Sequence, residues 1–251
     1  MRNCEYTLLD EDFVQLKDND VHLWMLDIQQ VSDQQLAGFR QLMSAQELER
    51  NQRYRFAKDQ KRDCITRGLV RTTLSRYSDL APEAWAFNKG DHGKPEIINS
   101  PVPLRFNLSH TFRYIVCAVT PRWNVGVDVE HTERKNDVRE IAKHYFSEQE
   151  VSDLFALDEV QQLDTFFDYW TLKEAYMKAS GEGLSLGLGN FSFNLGNPIS
   201  LSLSEVIKDS ASDWHFQLYH PRIDHRMAVA VKSGAVDPCI QLFDANNAKL
   251  A

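Results

Sequence analysis

The sequence lacks a long apolar run, since no stretch approaches the length that a membrane-spanning helix needs. Its first residues, MRNCEYTLLDEDF, include acidic side chains where a secretory signal peptide requires an apolar segment. These absences argue against membrane insertion and export. They predict a cytoplasmic protein that makes no membrane contact.

Cysteine is scarce and widely spaced, with four residues in the chain: Cys4, Cys64, Cys117 and Cys239. No CxxC or Cys/His zinc spacing occurs, so reduced thiols are the better interpretation. We also find no nucleophile–base triad. No Gly/Ser-rich linker divides the 251 residues, a length that suits one large domain or two small, closely packed ones.

Positive charge is in deficit overall, with 28 basic against 36 acidic residues and a net charge of −8. Such a balance argues against general nucleic-acid binding, which depends on neutralising many phosphates. Residues 50–76 are the exception, because they hold nine Lys/Arg and two Asp. This basic segment suits a polyanionic small ligand or an acidic protein partner. The alternative is a solvated basic helix face.

The segment NVGVDVE (124–130) alternates valine with Gly126, Asp128 and Glu130, which is the pattern of a half-buried strand. Both carboxylates therefore leave the same face. Two oxygen donors at that separation can share Mg²⁺, which commonly takes one or two carboxylates and completes its shell with water and phosphate. The alternative is a strand with an apolar inner face and a wet acidic outer face.

The segment WTLKEAYMKASGEGLSL (170–186) has helical spacing and ends at a double-glycine turn. Lys173 and Lys178 could hold a phosphate while Glu174 completes a metal shell. The alternative for Glu174 and Lys178 is an exposed i,i+4 ion pair worth only about 0.3 kcal/mol. The aromatic residues just upstream are better explained as core than as a surface that stacks on adenine.

Together these segments resemble the 4'-phosphopantetheinyl transferases of the surfactin-synthetase-activating type. The motifs that carry the resemblance occur in the family's order: HGKPEI (92–97), FNLSH (106–110), GVDVE (126–130), FSEQE (146–150) and WTLKEAYMKASGEGLSL (170–186). The last is specific, because Trp-x-x-Lys-Glu followed by a lysine and Gly-x-Gly-Leu rarely assemble by chance. The match is weaker over residues 44–76, and absent from the first twenty and last forty residues.

The resemblance implies roles for particular side chains. Asp128, Glu130 and Glu174 correspond to the family's Mg²⁺ ligands. Glu150, which ends FSEQE, corresponds to the proposed general base. Lys178 corresponds to a lysine on the transferred phosphate.

The resemblance also implies a set of contacts with coenzyme A: Arg50, Arg62, Lys94, Pro95, Ser109 and His110. Asp63 departs from the family, because some relatives carry a hydroxyl residue there that could reach the nucleotide. That departure leaves the role of Arg62 open. His110 without its motif would be interpreted as an ordinary turn histidine.

The two halves of the chain show a faint internal similarity. WMLDIQ (24–29) resembles VGVDVE (125–130), and MSAQE (43–47) resembles FSEQE (146–150). The family consists of pseudo-two-fold pairs of α+β halves, so we expect an α+β fold of two similar subdomains. The expected boundaries are 1–121, with the basic coenzyme A contacts, and 122–251, with the metal-binding and catalytic residues.

The function implied is transfer of 4'-phosphopantetheine from coenzyme A to a serine of an apo acyl or peptidyl carrier protein, with Mg²⁺ as cofactor. The enzyme is expected to work as a monomer, and adenosine 3',5'-bisphosphate is released. Two alternatives remain. A Mg²⁺-dependent nucleotide or coenzyme A hydrolase would use the same carboxylates without a carrier, and a non-catalytic carrier-binding protein would keep only the fold and the basic surface.

Overall fold

The structure is a computed structural model of the 251-residue chain, and it describes residues 6–7, 13–90, 93–133 and 137–247. The side chain of Leu184 is outside this description. The predictions for Cys4 and for His92 of the HGKPEI motif lie outside the described residues. The structure contains both helices and strands, as expected for an α+β fold, and this prediction is confirmed.

Eleven strands and six α-helices are assigned within the described residues. The strands are β1 (Asp20–Asp27), β2 (Phe87–Lys89), β3 (Pro95–Ile97), β4 (Arg105–His110), β5 (Tyr114–Thr120), β6 (Asn124–His131), β7 (Phe191–Asn194), β8 (Ser200–Leu203), β9 (Trp214–Arg222), β10 (His225–Lys232) and β11 (Cys239–Asp244). The helices are α1 (Asp33–Gln41), α2 (Ala45–Gln52), α3 (Ala57–Leu74), α4 (Val138–Tyr145), α5 (Glu148–Phe155) and α6 (Glu159–Ser180).

The chain divides into two compact units. The N-terminal unit contains Glu5–Phe106, His110–Arg122 and Ile240–Ala251. The C-terminal unit contains Trp123–Cys239, together with Asn107–Ser109. The sequence-based boundary at residues 121 and 122 places residues 240–247 in the C-terminal subdomain, whereas the contacts group them with the N-terminal unit. The reason is β11, which pairs with β1.

The N-terminal unit is built on β11, β1 and β5, which belong to a four-stranded sheet with strand order β11-β1-β5-β4, whereas residues 107–109 of β4 belong to the C-terminal unit. Strands β1 and β5 are antiparallel, with Trp24 opposite Cys117. Every residue of both strands is buried, including the polar residues Asp20, His22 and Asp27 of β1. Helix α1 packs on α3, and α3 also contacts β5. A short hairpin of β2 and β3 carries the Gly93–Lys94–Pro95 turn.

The C-terminal unit has a three-stranded antiparallel sheet with strand order β6-β10-β9, covered by α6. Its core gathers aromatic side chains from α6 and from the hairpin of β7 and β8. Phe166, Phe167 and Tyr169 are among the buried core residues, so the prediction that they pack a core is confirmed. Helix α6 ends at Gly181, whose φ of 80° is the left-handed conformation that glycine adopts at little cost.

Strand β6 and helix α6 approach closely at Gly126. A Cβ atom built on this glycine would lie 2.0 Å from the carbonyl oxygen of Ala175 and 2.6 Å from the amide nitrogen of Ala179. The sheet residues Ala228 and Ala230 are also small and belong to the same core. Because only glycine fits here, the backbone of α6 lies directly on β6.

Helices α2 and α5 begin with the same local structure. Ser44 caps α2 and Ser147 caps α5, and in each case the glutamate three residues on, Glu47 or Glu150, accepts a hydrogen bond from the cap residue's backbone N–H. These are the MSAQE and FSEQE segments that resemble one another. In each unit a strand is followed by two short helices and one long helix, so the internal similarity holds at the level of these elements.

Within the described ranges, no helix combines the length and the apolar character needed to cross a membrane.

Substitution of Gly126 by alanine tests the close contact of β6 and α6. The added methyl group meets helix backbone, which cannot rotate away, so we expect Gly126→Ala to cost about 3 kcal/mol or more in stability. The matched control is Gly38→Ala in α1, where nothing lies within 4 Å of the added Cβ. This control should be neutral or stabilising by up to about 1 kcal/mol. Thermal unfolding of both variants would measure the difference, and equal melting temperatures would contradict the contact.

Candidate active site

A buried carboxylate is paired with a lysine where β6 lies on the last turn of α6. The ammonium nitrogen of Lys178 lies 2.6 Å from Oδ1 of Asp128 and also donates to the carbonyl of Val127 at 3.1 Å. Asp128 is 4% exposed, whereas the Lys178 side chain keeps 28% of its surface. The predicted strand therefore does point Asp128 at α6, and Lys178 reaches both the carboxylate and solvent.

Strand β4 supplies the remaining partner of this carboxylate. The Ser109 hydroxyl donates to Oδ1 of Asp128 at 2.8 Å and accepts from the Val129 N–H at 3.2 Å. Two residues earlier, Asn107 accepts the Val127 N–H at 3.0 Å. Residues 107 and 109 leave the same side of the strand, so β4 contacts β6 through two polar side chains. Sequence reasoning missed Asn107, although its alternation with Ser109 in FNLSH was visible.

Glu174 lies one helical turn before Lys178 and is partly buried. Its pKa is raised above the ordinary range, first by burial and then by the negative charge of Asp128, while Lys178 acts in the opposite direction. A carboxyl group in this setting gains from a nearby cation. Across the part of the chain that the structure describes, Oδ2 of Asp128 is buried and has no hydrogen-bond partner. Both observations fit a site for a cation that prefers oxygen ligands.

Glu130 leaves β6 on the same face as Asp128 and is 8% exposed. Across the sheet it faces Arg226 of β10. Arg226 is buried and is held by two carboxylates of α6, Asp164 at 2.6 Å and Asp168 at 3.4 Å. Among the described residues, Asp128, Glu130 and Glu174 do not bring their ligand atoms within 4.8 Å of one another. The structure thus brings Asp128 and Lys178 together, but it does not gather the three predicted ligands.

Glu150 and Lys173 form an ion pair in the interior of the C-terminal unit, and both side chains are fully buried. The Lys173 ammonium lies 2.8 Å from Oε2 of Glu150 and donates to the carbonyls of Leu188 and Phe191, each at 2.7 Å. All three of its protons therefore have acceptors. Burial lowers the pKa of Lys173, and the Glu150 charge offsets part of that effect.

Both oxygens of the Glu150 carboxylate also have hydrogen-bond partners. Its Oε2 accepts from the backbone N–H of Ser147 at 3.0 Å and from the Ser147 hydroxyl at 2.9 Å, while Oε1 accepts from the Phe193 N–H at 3.0 Å. A general base must reach the proton that it removes. The predicted role of Glu150 as that base does not agree with this position, because no atom of the carboxylate is exposed.

Lys173 needs the same correction, since a fully buried lysine cannot contact coenzyme A. Helical geometry could have shown from the sequence that Lys173 and Lys178 face different directions. Residues 173 and 178 are separated by about 140° around a helix axis, so they cannot both reach one phosphate site. Glu174 and Lys178, at i and i+4, share a face.

The basic residues predicted to contact coenzyme A lie in the N-terminal unit. Arg50 is in the last turn of α2, and Arg62 in α3 forms an ion pair of 2.9 Å with Asp59. Asp63, the departure from the family, accepts a hydrogen bond from Asn51 at 2.9 Å and lies 3.5 Å from Arg67. Asp63 therefore contributes to the local helix packing between α2 and α3.

The other predicted contacts of this unit lie on its strands. Lys94 is half-buried, and burial lowers its pKa, with the charge of Arg105 acting in the same direction. Pro95 begins β3, and His110 ends β4 with an exposed side chain. Ser109 differs from these, because it belongs to the C-terminal unit and is buried and bonded to Asp128.

Comparison with known protein families matches most of the chain. Residues 124–231 match the model of the 4'-phosphopantetheinyl transferase superfamily, and residues 30–122 match a model described as 4'-phosphopantetheinyl transferase, N-terminal. The two matches meet near Trp123, where the C-terminal unit begins.

Curated relatives agree with these matches. The chain is 34% identical to the 4'-phosphopantetheinyl transferase Sfp of Bacillus subtilis (strain 168), over 79% of this chain and 86% of the relative. It is 34% identical to the 4'-phosphopantetheinyl transferase HetI of a Nostoc species, over 68% of this chain and 72% of the relative. For the 4'-phosphopantetheinyl transferase psf-1 of Bacillus pumilus the identity is 30%, over 78% and 82%. The predicted resemblance is confirmed, and the chain belongs to the 4'-phosphopantetheinyl transferase superfamily.

Proposed function

We propose that this protein transfers the 4'-phosphopantetheine group of coenzyme A to a serine hydroxyl of an apo acyl or peptidyl carrier protein. The observation that carries the proposal is the cluster of Asp128, Ser109 and Lys178, with Glu174 one turn away, in a chain of this superfamily. The cluster offers oxygen donors for a cation and a partly exposed ammonium group for a phosphate. We further propose that the enzyme acts in the cytoplasm as a monomer.

In the reaction, the serine oxygen forms a bond to the β-phosphorus of coenzyme A. The bond from that phosphorus to the bridging oxygen breaks, and adenosine 3',5'-bisphosphate leaves with the electron pair. The serine proton must pass to a base. The attacking serine oxygen and the leaving oxygen must lie in line with the phosphorus. Holding the two substrates in this arrangement therefore supplies much of the acceleration.

Asp128, Glu130 and Glu174 are the residues proposed to hold Mg²⁺, which supplies charge stabilisation to the pyrophosphate when it is bound. The buried Oδ2 of Asp128 and the raised pKa of Glu174 support this set. Lys178 is proposed to neutralise the transferred phosphate. Ser109 acts indirectly, because its hydroxyl fixes the rotamer of Asp128.

We propose that a water molecule at the cluster takes the serine proton, because the Glu150 side chain is fully buried and Glu174 is assigned to the metal. Glu150 instead acts as a positioning residue, since it fixes Lys173 in α6 next to Glu174. The N-terminal unit is proposed to bind the nucleotide end of coenzyme A through Arg50, Arg62, Lys94, Pro95 and His110.

The first test is transfer itself. Purified protein with coenzyme A and Mg²⁺ should add phosphopantetheine to at least one apo carrier protein in a panel, as measured by intact mass. Chelation of the metal should abolish the mass gain. Hydrolysis of coenzyme A with no modified carrier would support the hydrolase alternative, and the absence of both reactions would support a non-catalytic role.

A second test concerns the charge of Glu174. Because its pKa is raised in the folded state, the folded state binds this proton more readily than the unfolded chain, and stability is lost as pH rises through the folded pKa. Without metal, Glu174→Gln should therefore melt at a higher temperature than wild type at pH 7, and the difference should vanish in acid. Added Mg²⁺ should stabilise wild type more than the variant.

The control for that test is Glu182→Gln, which removes an exposed carboxylate just beyond the end of α6. It should follow wild type in both the pH series and the Mg²⁺ titration. If Glu174→Gln also followed wild type in the metal titration, Glu174 would not be a ligand.

A third test separates the two roles considered for Glu150. Either Glu150→Gln or Lys173→Met alone disrupts a buried pair and should cost about 3–5 kcal/mol in stability. The double variant removes both charges at once, so it should regain much of that stability. If Glu150 only positions α6, transfer activity should recover along with the melting temperature. A double variant that is stable yet at least about 10²-fold slower would restore Glu150 as the base.

A further inference from the structure

Two histidines and an aspartate meet at the end of the C-terminal sheet, away from the carboxylates of the candidate active site. His131 ends β6 and lies opposite His225, the first residue of β10. Asp224 lies in the tight turn that joins β9 to β10. Because side chains alternate along a strand, His131 and Asp128 leave opposite faces of β6. The histidine pair is therefore a separate feature.

The distances within this group suit metal coordination. Nε2 of His131 lies 3.5 Å from Oδ2 of Asp224, and Nδ1 of His225 lies 3.0 Å from Oδ1 of the same carboxylate. The imidazole centroids are 4.8 Å apart, and one ligand atom from each of the three residues lies within 4.8 Å of the others. Tetrahedral bonds of about 2.0–2.1 Å place neighbouring ligand atoms about 3.3 Å apart, close to these separations.

We propose that His131, Asp224 and His225 bind a divalent transition-metal ion of the Zn²⁺ class. Two imidazole nitrogens and one carboxylate oxygen are ligands that this class accepts, whereas Mg²⁺ prefers oxygen alone. Among the described residues, this is the group of three or more His, Cys, Asp or Glu side chains whose ligand atoms converge in this way.

Neighbouring residues hold the turn at Asp224 in place, and part of the site is exposed to solvent. The Thr132 N–H donates to the Asp224 carbonyl at 2.9 Å, and Nε of Arg222 lies 3.2 Å from Oδ1 of Asp224, so the ligating turn is held from two sides. His225 is fully buried, but the Asp224 side chain keeps 22% of its surface. Glu133, whose side chain is 74% exposed, lies 3.7 Å from Nε2 of His131 and can supply a fourth ligand.

The consequence of binding would be structural. The ion would join the end of β6 to the β9–β10 turn, at the opposite end of β6 from Gly126 and one residue beyond Glu130. This role is independent of phosphopantetheine transfer, so either proposal can fail without the other. We therefore choose measurements that read metal binding directly.

Isothermal titration with Zn²⁺, in a buffer with excess Mg²⁺ to occupy the carboxylate cluster, should give one site per wild-type chain. His131→Ala and Asp224→Asn should weaken this binding by about 100-fold or more, since each removes a ligand. The control His144→Ala removes an exposed histidine of α4 and should bind Zn²⁺ as wild type does.

Thermal unfolding supplies a second readout. Zn²⁺ at about 100 times its dissociation constant should raise the wild-type melting temperature by roughly 5 °C or more, with little change in His131→Ala. Since replacing the buried His225 risks unfolding, its coordination is best followed by imidazole ¹⁵N NMR of the wild-type protein. Equal Zn²⁺ affinity in wild type and His131→Ala, or no shift at His225, would overturn the proposal in favour of a simple His–Asp ion pair.

Discussion

The ion pair between the capping glutamate Glu150 and the buried lysine Lys173 holds the C-terminal unit together. Glu150 caps the start of α5, accepts the N–H of Phe193 in β7 and neutralises Lys173 in α6. Lys173 in turn binds the carbonyls of Leu188 and Phe191. One ion pair thus fixes two helices, the turn after α6 and a strand. Glu174 and Lys178 take their positions from the helix that this pair anchors.

Burying two charges is costly, and the pair is stable only because every donor and acceptor has a partner. Removing either residue would leave an uncompensated charge in an apolar core. A related pair occurs in the N-terminal unit, where the capping Glu47 lies 2.9 Å from the buried Arg71 of α3. Such pairs contribute specificity of packing, since a helix that shifted by one residue would lose them.

The sequence alone predicted the local structure and the family. It did not predict contacts between residues that are distant along the chain. Alternation in NVGVDVE predicted the strand and the common face of Asp128 and Glu130, and MSAQE and FSEQE contained recognisable capping boxes. The burial of Lys173 was not predicted, because lysine is a surface residue unless a distant partner neutralises it. The hydrogen bond from Ser109 to Asp128 and the pairing of β11 with β1 also depend on contacts that no local pattern encodes.

The two capping boxes separate the parts of the internal similarity. Both units have the capping glutamate and its buried cation, whereas the aspartates at matching positions have different partners: Asp128 binds Lys178 and Ser109, and Asp27 is held by Arg113 at 2.7 Å. The capping pair therefore fixes a long helix in both units, while the strand aspartate takes a partner specific to its own unit.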